Sequence, residues 1–175
     1  MQSMKKSVIF ATILALVFAF LSYPAMAADE KEKLSQERKD SIIERCGAIQ
    51  ETLKATQRFD SYARTYLGSV YEKFLSDFLT PLNVRLLKNN QSISSLTDLQ
   101  TEFVDERTKF NSEFVTYSKT LEDLVNTSCT NDPQTFYTKL QKTREEREKV
   151  DKATEKLEKM MAGFKEKVKE IEIKK

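Results

Sequence analysis

Histidine is absent from the chain. That removes the commonest general base, the usual nitrogen ligand of zinc, and the Ser-His-Asp triad. No Walker loop and no Gly-x-Gly-x-x-Gly fingerprint occurs either, so nothing announces a phosphate cradle. Glycine and proline number three each, which leaves few places for turns. Beyond Leu21 no stretch is long and apolar enough to cross a bilayer. Only two cysteines are present, Cys46 and Cys129, too far apart in sequence for a redox Cys-x-x-Cys motif. Carboxylate pairs such as Glu145-Glu146 and Asp105-Glu106 sit in charge-rich stretches that read as solvated helix faces. No catalytic, metal-binding or cofactor-binding residue is therefore expected, and the chain is read as a non-enzyme without a cofactor.

What is there begins with a processing signal. Lys5 and Lys6 precede an apolar run from Val8 to Leu21, followed by small residues at Ala25 and Ala27. That order is the pattern of a secretory signal peptide, with cleavage expected near Ala27. The protein is then exported, to the periplasm or the medium. Lys5 and Lys6 leave with the signal, so 29 basic residues fall to 27 against 27 acidic ones. A neutral chain argues against a nucleic-acid partner, which calls for a basic face. The charge is uneven: residues 28–138 carry 14 basic and 18 acidic side chains, residues 139–175 carry 13 and 9.

Residues 28–175 suit a single domain. In the first segment Ile42, Cys46, Ile49, Leu53, Thr56, Asp60, Ala63, Leu67, Val70 and Phe74 follow alternating steps of four and three. Leu96, Leu99, Phe103, Phe110, Tyr117, Leu121 and Leu124 repeat the rule, with Glu106 and Phe114 or Glu113 between. Phe136, Leu140, Thr143, Arg147, Val150, Thr154, Leu157, Met161, Phe164, Val168 and Ile171 continue it. Such stripes keep one face of a helix against a neighbour. The fold class expected is all-α: an elongated antiparallel three-helix bundle or coiled coil, with helices over about 32–80, 95–128 and 133–172. The phenylalanines and tyrosines fall on or beside these stripes and read as core.

Local signals set the boundaries. Pro81 should stop or kink the first helix, and a connector is expected over residues 81–94, with Leu82 to Lys88 able to form a short helix. Ser95 fits an N-cap with Asp98 three residues on. Asp132-Pro133 is the strongest start signal, a capping carboxylate followed by proline at the first helical position. Antiparallel helices pair residues whose numbers sum to a constant. Boundaries near Thr80 and Ser95 place Cys46 level with Cys129, and in an oxidising compartment an intramolecular disulfide is expected, the alternatives being a redox-active pair or intermolecular bridges. The same register brings Asp60 level with about Val115, beside Glu113 and Phe114, and with Arg147 of the third segment. A polar core layer of Asp60, Glu113 and Arg147 that fixes alignment is expected.

The last stretch is read as a possible interaction surface. Met160, Met161, Phe164, Val168 and Ile171, rimmed by lysines, extend past the paired region. Either Leu82, Val84, Leu86, Leu87 and Ile93 of the connector cover them, or a partner does: another protein, a second copy, or an acidic membrane surface.

Two resemblances follow. A signal, a helix with one cysteine, an aromatic-rich helix, then Ser128-Cys129 and Pro133-Gln134-Thr135-Phe136-Tyr137 with Arg144 and Arg147 resembles small secreted coiled-coil proteins of uncharacterised bacterial lineages. Separately, Leu96-Thr97-Asp98-Leu99-Gln100 is similar to the Leu-Thr-x-x-Gln motif of Spy/CpxP-type periplasmic chaperones. That family carries the motif twice. Here the second copy is missing, and Leu79-Thr80-Pro81-Leu82-Asn83 departs from it. The expected role is a helical interaction or structural protein outside the cytoplasmic membrane. The alternative is a chaperone-like or membrane-surface-binding protein that works through amphipathic helix faces.

Overall fold

The computed structural model describes residues 33–91 and 94–169. The expected signal peptide, Ile93 and Ile171 lie outside the described residues. Every regular element among the described residues is helical: α1 (Gln36–Glu44), α2 (Cys46–Lys73), a π-helical segment (Phe74–Leu79), α3 (Thr80–Lys88), α4 (Ser94–Val125) and α5 (Pro133–Lys169). None of these helices is long and apolar enough to cross a membrane.

The first segment differs from the sequence expectation at both ends, each for a local reason. The first helix does not start as one rod. Ser35 caps α1 by accepting a hydrogen bond from the Arg38 amide, and the chain breaks at Arg45, at φ −95° and ψ 5°. At the other end Pro81 stops nothing. Its ring would strike the carbonyl four residues back in a regular α-helix, and the turns before it widen into the π segment. There the Thr80 amide reaches Leu75 rather than Ser76, and α3 then starts with Pro81 in its first turn, where no amide is needed.

The end of α3 is a Schellman closure. Asn90 takes the left-handed conformation, φ 53°, while the Gln91 amide bonds to the Leu86 carbonyl and that of Asn90 to Leu87. Ser95 lies inside α4 rather than capping it. Asp132 does cap α5: its carboxylate accepts from the Thr135 amide at 2.9 Å. Hydrogen bonding from the Thr135 side chain first, and then from its amide, holds the Asp132 carboxyl below the usual carboxylate range.

The core follows the seam of α4. Leu96, Leu99, Phe103, Glu106, Phe110, Phe114, Tyr117, Leu121 and Leu124 are all buried. Against them α5 sets Phe136, Thr143, Glu146, Val150, Ala153 and Leu157, running antiparallel, as the Thr143–Thr120 and Lys156–Glu106 contacts show. On the other flank Tyr71 packs edge-on to Phe103 and Phe110, at 6.2 and 5.3 Å between ring centres. Phe74 meets Phe103 at 4.9 Å. Such aromatic pairs add about 0.5–1.5 kcal/mol each beyond their buried area. Cys46 and Cys129 form the disulfide, with Cα atoms 5.7 Å apart, and Cys129 is fully buried beside Leu124 and Phe136.

Helix α2 leans on α4 far more than on α5. It meets α5 through the side chains of Asp60 and Arg147, and the π segment beyond it meets α5 through Phe74 and Phe164. That one-sided seat leaves much of the α2 surface uncovered.

Candidate interaction surface

Four positions of the first segment decide what α2 shows to solvent. Asp60 and Tyr71 are buried, and Leu53 and Leu67 pack half-buried on the same core. Phe59, Tyr62 and Tyr66 are 69, 78 and 69% exposed. Their steps of three and four keep them on one helical face, so the chain displays an aromatic stripe where the sequence reading expected core. The reason is the lean of α2: α4 covers one flank and leaves the opposite flank without a neighbour. Exposed large apolar side chains gathered on one face mark contact surfaces more often than single ones do. Tyrosine is also among the residues that dominate measured interface energies.

A groove lies nearer the disulfide end of the same helix. Arg45, Ala48, Ile49, Thr52 and Leu53 of the first helical segments and Leu140 and Arg144 of α5 line about 410 Å³ of open, mainly apolar space. A second hollow of about 290 Å³ shares Ile49, Leu140 and Arg144 and adds Leu34, Ile42 and Phe136. Neither hollow is lined by a carboxylate.

Asp60, on the buried stripe next to the aromatic one, accepts a 2.5 Å hydrogen bond from the Tyr117 hydroxyl. Arg147 stands 3.6 Å from its other oxygen. Burial first, and then the Asp60 hydrogen bond, push the Tyr117 hydroxyl far up from its ordinary value. Glu113 is not part of this cluster. Its charge helps to hold Lys149 above the ordinary lysine range, after the larger effect of the hydrogen bond from Lys149 to Glu146. Further along, Lys156 bridges buried Glu106 at 2.9 Å and exposed Glu102 at 3.3 Å.

At the C-terminal end, Met160, Met161, Phe164 and Val168 pack partly buried on the main core, together with Leu82 and Leu86 of α3. Phe164 stands edge-on to Phe74 at 5.3 Å. Val84 and Leu87 of the expected covering patch are exposed instead.

The sequence did carry a signal for the stripe. Phe59, Tyr62 and Tyr66 repeat the three-four rule one position away from Asp60, Ala63 and Leu67. Two adjacent stripes on one helix need two neighbours, and only one packs closely here. Compared with known proteins, the chain matches no family model, no curated protein and no solved structure.

Proposed function

We propose that this is an exported, non-enzymatic interaction protein whose working part is the outer face of α2. In this reading residues 1–27 are removed as a signal peptide. The three long helical stretches form an elongated antiparallel three-helix bundle, stapled by Cys46–Cys129, and an oxidising compartment keeps the staple closed. The observation that carries the proposal is the exposure of Phe59, Tyr62 and Tyr66 on one face. A helix face of this kind binds by offering aromatic anchors at i, i+3 and i+7. The buried carboxylates of Asp60, Glu106 and Glu146 serve alignment, each answered by a cation on a facing or adjacent turn.

A photo-crosslinking side chain at position 62, introduced in the cell that makes the protein, tests the reading. It should give a discrete adduct, while the same group at exposed Thr108 on α4 gives none. No adduct at position 62, or equal capture at both, would contradict it.

One observation favours a second reading. The carboxylate-free apolar groove between α2 and α5 suits a chaperone-like protein that holds apolar client segments, in line with the lone Leu-Thr-x-x-Gln motif. Leu140→Gln should then abolish suppression of client aggregation. Full retention of that activity would dismiss the idea.

A further inference from the structure

We infer that the partner of the α2 face is a second copy of this chain, paired antiparallel about a twofold axis at Tyr62. The inference rests on the interaction reading and names its partner.

A twofold axis makes the same patch serve both sides, so the patch must be complementary to itself. With the axis at Tyr62, a residue any number of places before it comes level with the residue that many places after it on the second copy. Tyr62 then meets Tyr62. Arg58 comes level with Tyr66, and a guanidinium over an aromatic ring is a favourable contact. Ala55 comes level with Ser69, so small side chains face each other and the backbones can approach. Glu51 comes level with Lys73, giving two symmetry-related opposite-charge pairs at the flanks. Within one chain Glu51 pairs with exposed Lys54 on its own helix, at 3.3 Å.

A shallow crossing of about 20° keeps such flanks in reach, whereas a crossing of about 50° would part them. The pairing uses α2 and leaves the α4–α5 seam untouched. A single pair of helices forms an interface at the small end of the stable range, so the dimer should dissociate in roughly the micromolar range.

Sedimentation equilibrium of the purified oxidised protein is the test, with charge exchange as the control of register. The wild type should pass from monomer to dimer with concentration. Glu51→Lys and Lys73→Glu should each weaken the dimer about tenfold, by placing like charges level. The double exchange Glu51→Lys/Lys73→Glu should restore it. A dimer indifferent to these changes would overturn the proposed pairing. A monomer at every concentration would overturn self-pairing altogether. In that case the position-62 adduct separates the two failures: a different captured protein leaves the α2 face as the working surface, and no adduct removes that reading too.

Discussion

The Tyr117 hydroxyl donates a 2.5 Å hydrogen bond to the Asp60 carboxylate within the core, joining α4 to α2. A buried carboxylate is tolerated only with partners, and here the second is Arg147 from α5. One carboxylate thus ties three helices at a single level. Tyr117→Phe removes the donor but keeps the ring, and should cost about 1–3 kcal/mol. Asp60→Asn with Tyr117→Phe should cost less than the sum of the single changes, as a double-mutant cycle in urea will read.

The same pair sets an alkaline limit. The folded protein holds the Tyr117 proton well above the ordinary tyrosine value, while the unfolded chain gives it up near that ordinary value of 10.0. The stabilisation is fully present below about pH 10 and is lost as the pH climbs from there toward the folded-state value. Urea midpoints should hold from about pH 8 to about pH 10 and fall above it, and Tyr117→Phe should flatten that fall. An unchanged slope in the variant would show that Tyr117 is not the group responsible.

The disulfide closes a loop between residues 83 positions apart. By the chain-entropy account that closure contributes about 4–5 kcal/mol. Cys46→Ser with Cys129→Ser should therefore lower the urea midpoint sharply without altering helix content at low temperature. Thiol titration of the denatured, unreduced protein should find no reactive group. Two reactive thiols would deny the bond.

Phe164 reaches Phe74 across the end of the core, and Val168 continues the contact toward α3. Phe164→Ala should cost about 2–3 kcal/mol, less than a fully buried phenylalanine because this one is only partly covered. For a domain of this size each kcal/mol corresponds to roughly 2–4 °C. Deleting residues 164–175 should thus lower the melting temperature by several degrees. A melt that hardly moves would mean that the tail is not held by the chain itself.

Much of this architecture was legible because helices leave periodic traces. The α4 seam was legible at every place but one, where Phe114 and Glu113 stood as alternatives and Phe114 is the buried one. The level of Cys46 with Cys129, and of Asp60 with Arg147, followed from counting back from the turns. The α2 surface was not legible in the same way. Periodicity says that Phe59, Tyr62 and Tyr66 share a face but not whether anything covers it, and that depends on how far α2 stands from α5. Tyr71, one place beyond the expected Val70, is fully buried, while Val70 packs partly buried on the same core. Pro81 misled because a π turn can absorb a proline that an α turn cannot.

Hydroxyl-radical footprinting, read residue by residue at low and high protein concentration, tests most directly whether α2 presents a working aromatic face. In dilute protein Phe59, Tyr62 and Tyr66 should oxidise readily, while Tyr71 and Tyr117 are spared. In concentrated protein the three should become protected together, with Thr108 and its neighbours on α4 unchanged. The account would be contradicted if Tyr62 were as well protected as Tyr117 even in dilute protein, because the stripe would then be core and not surface.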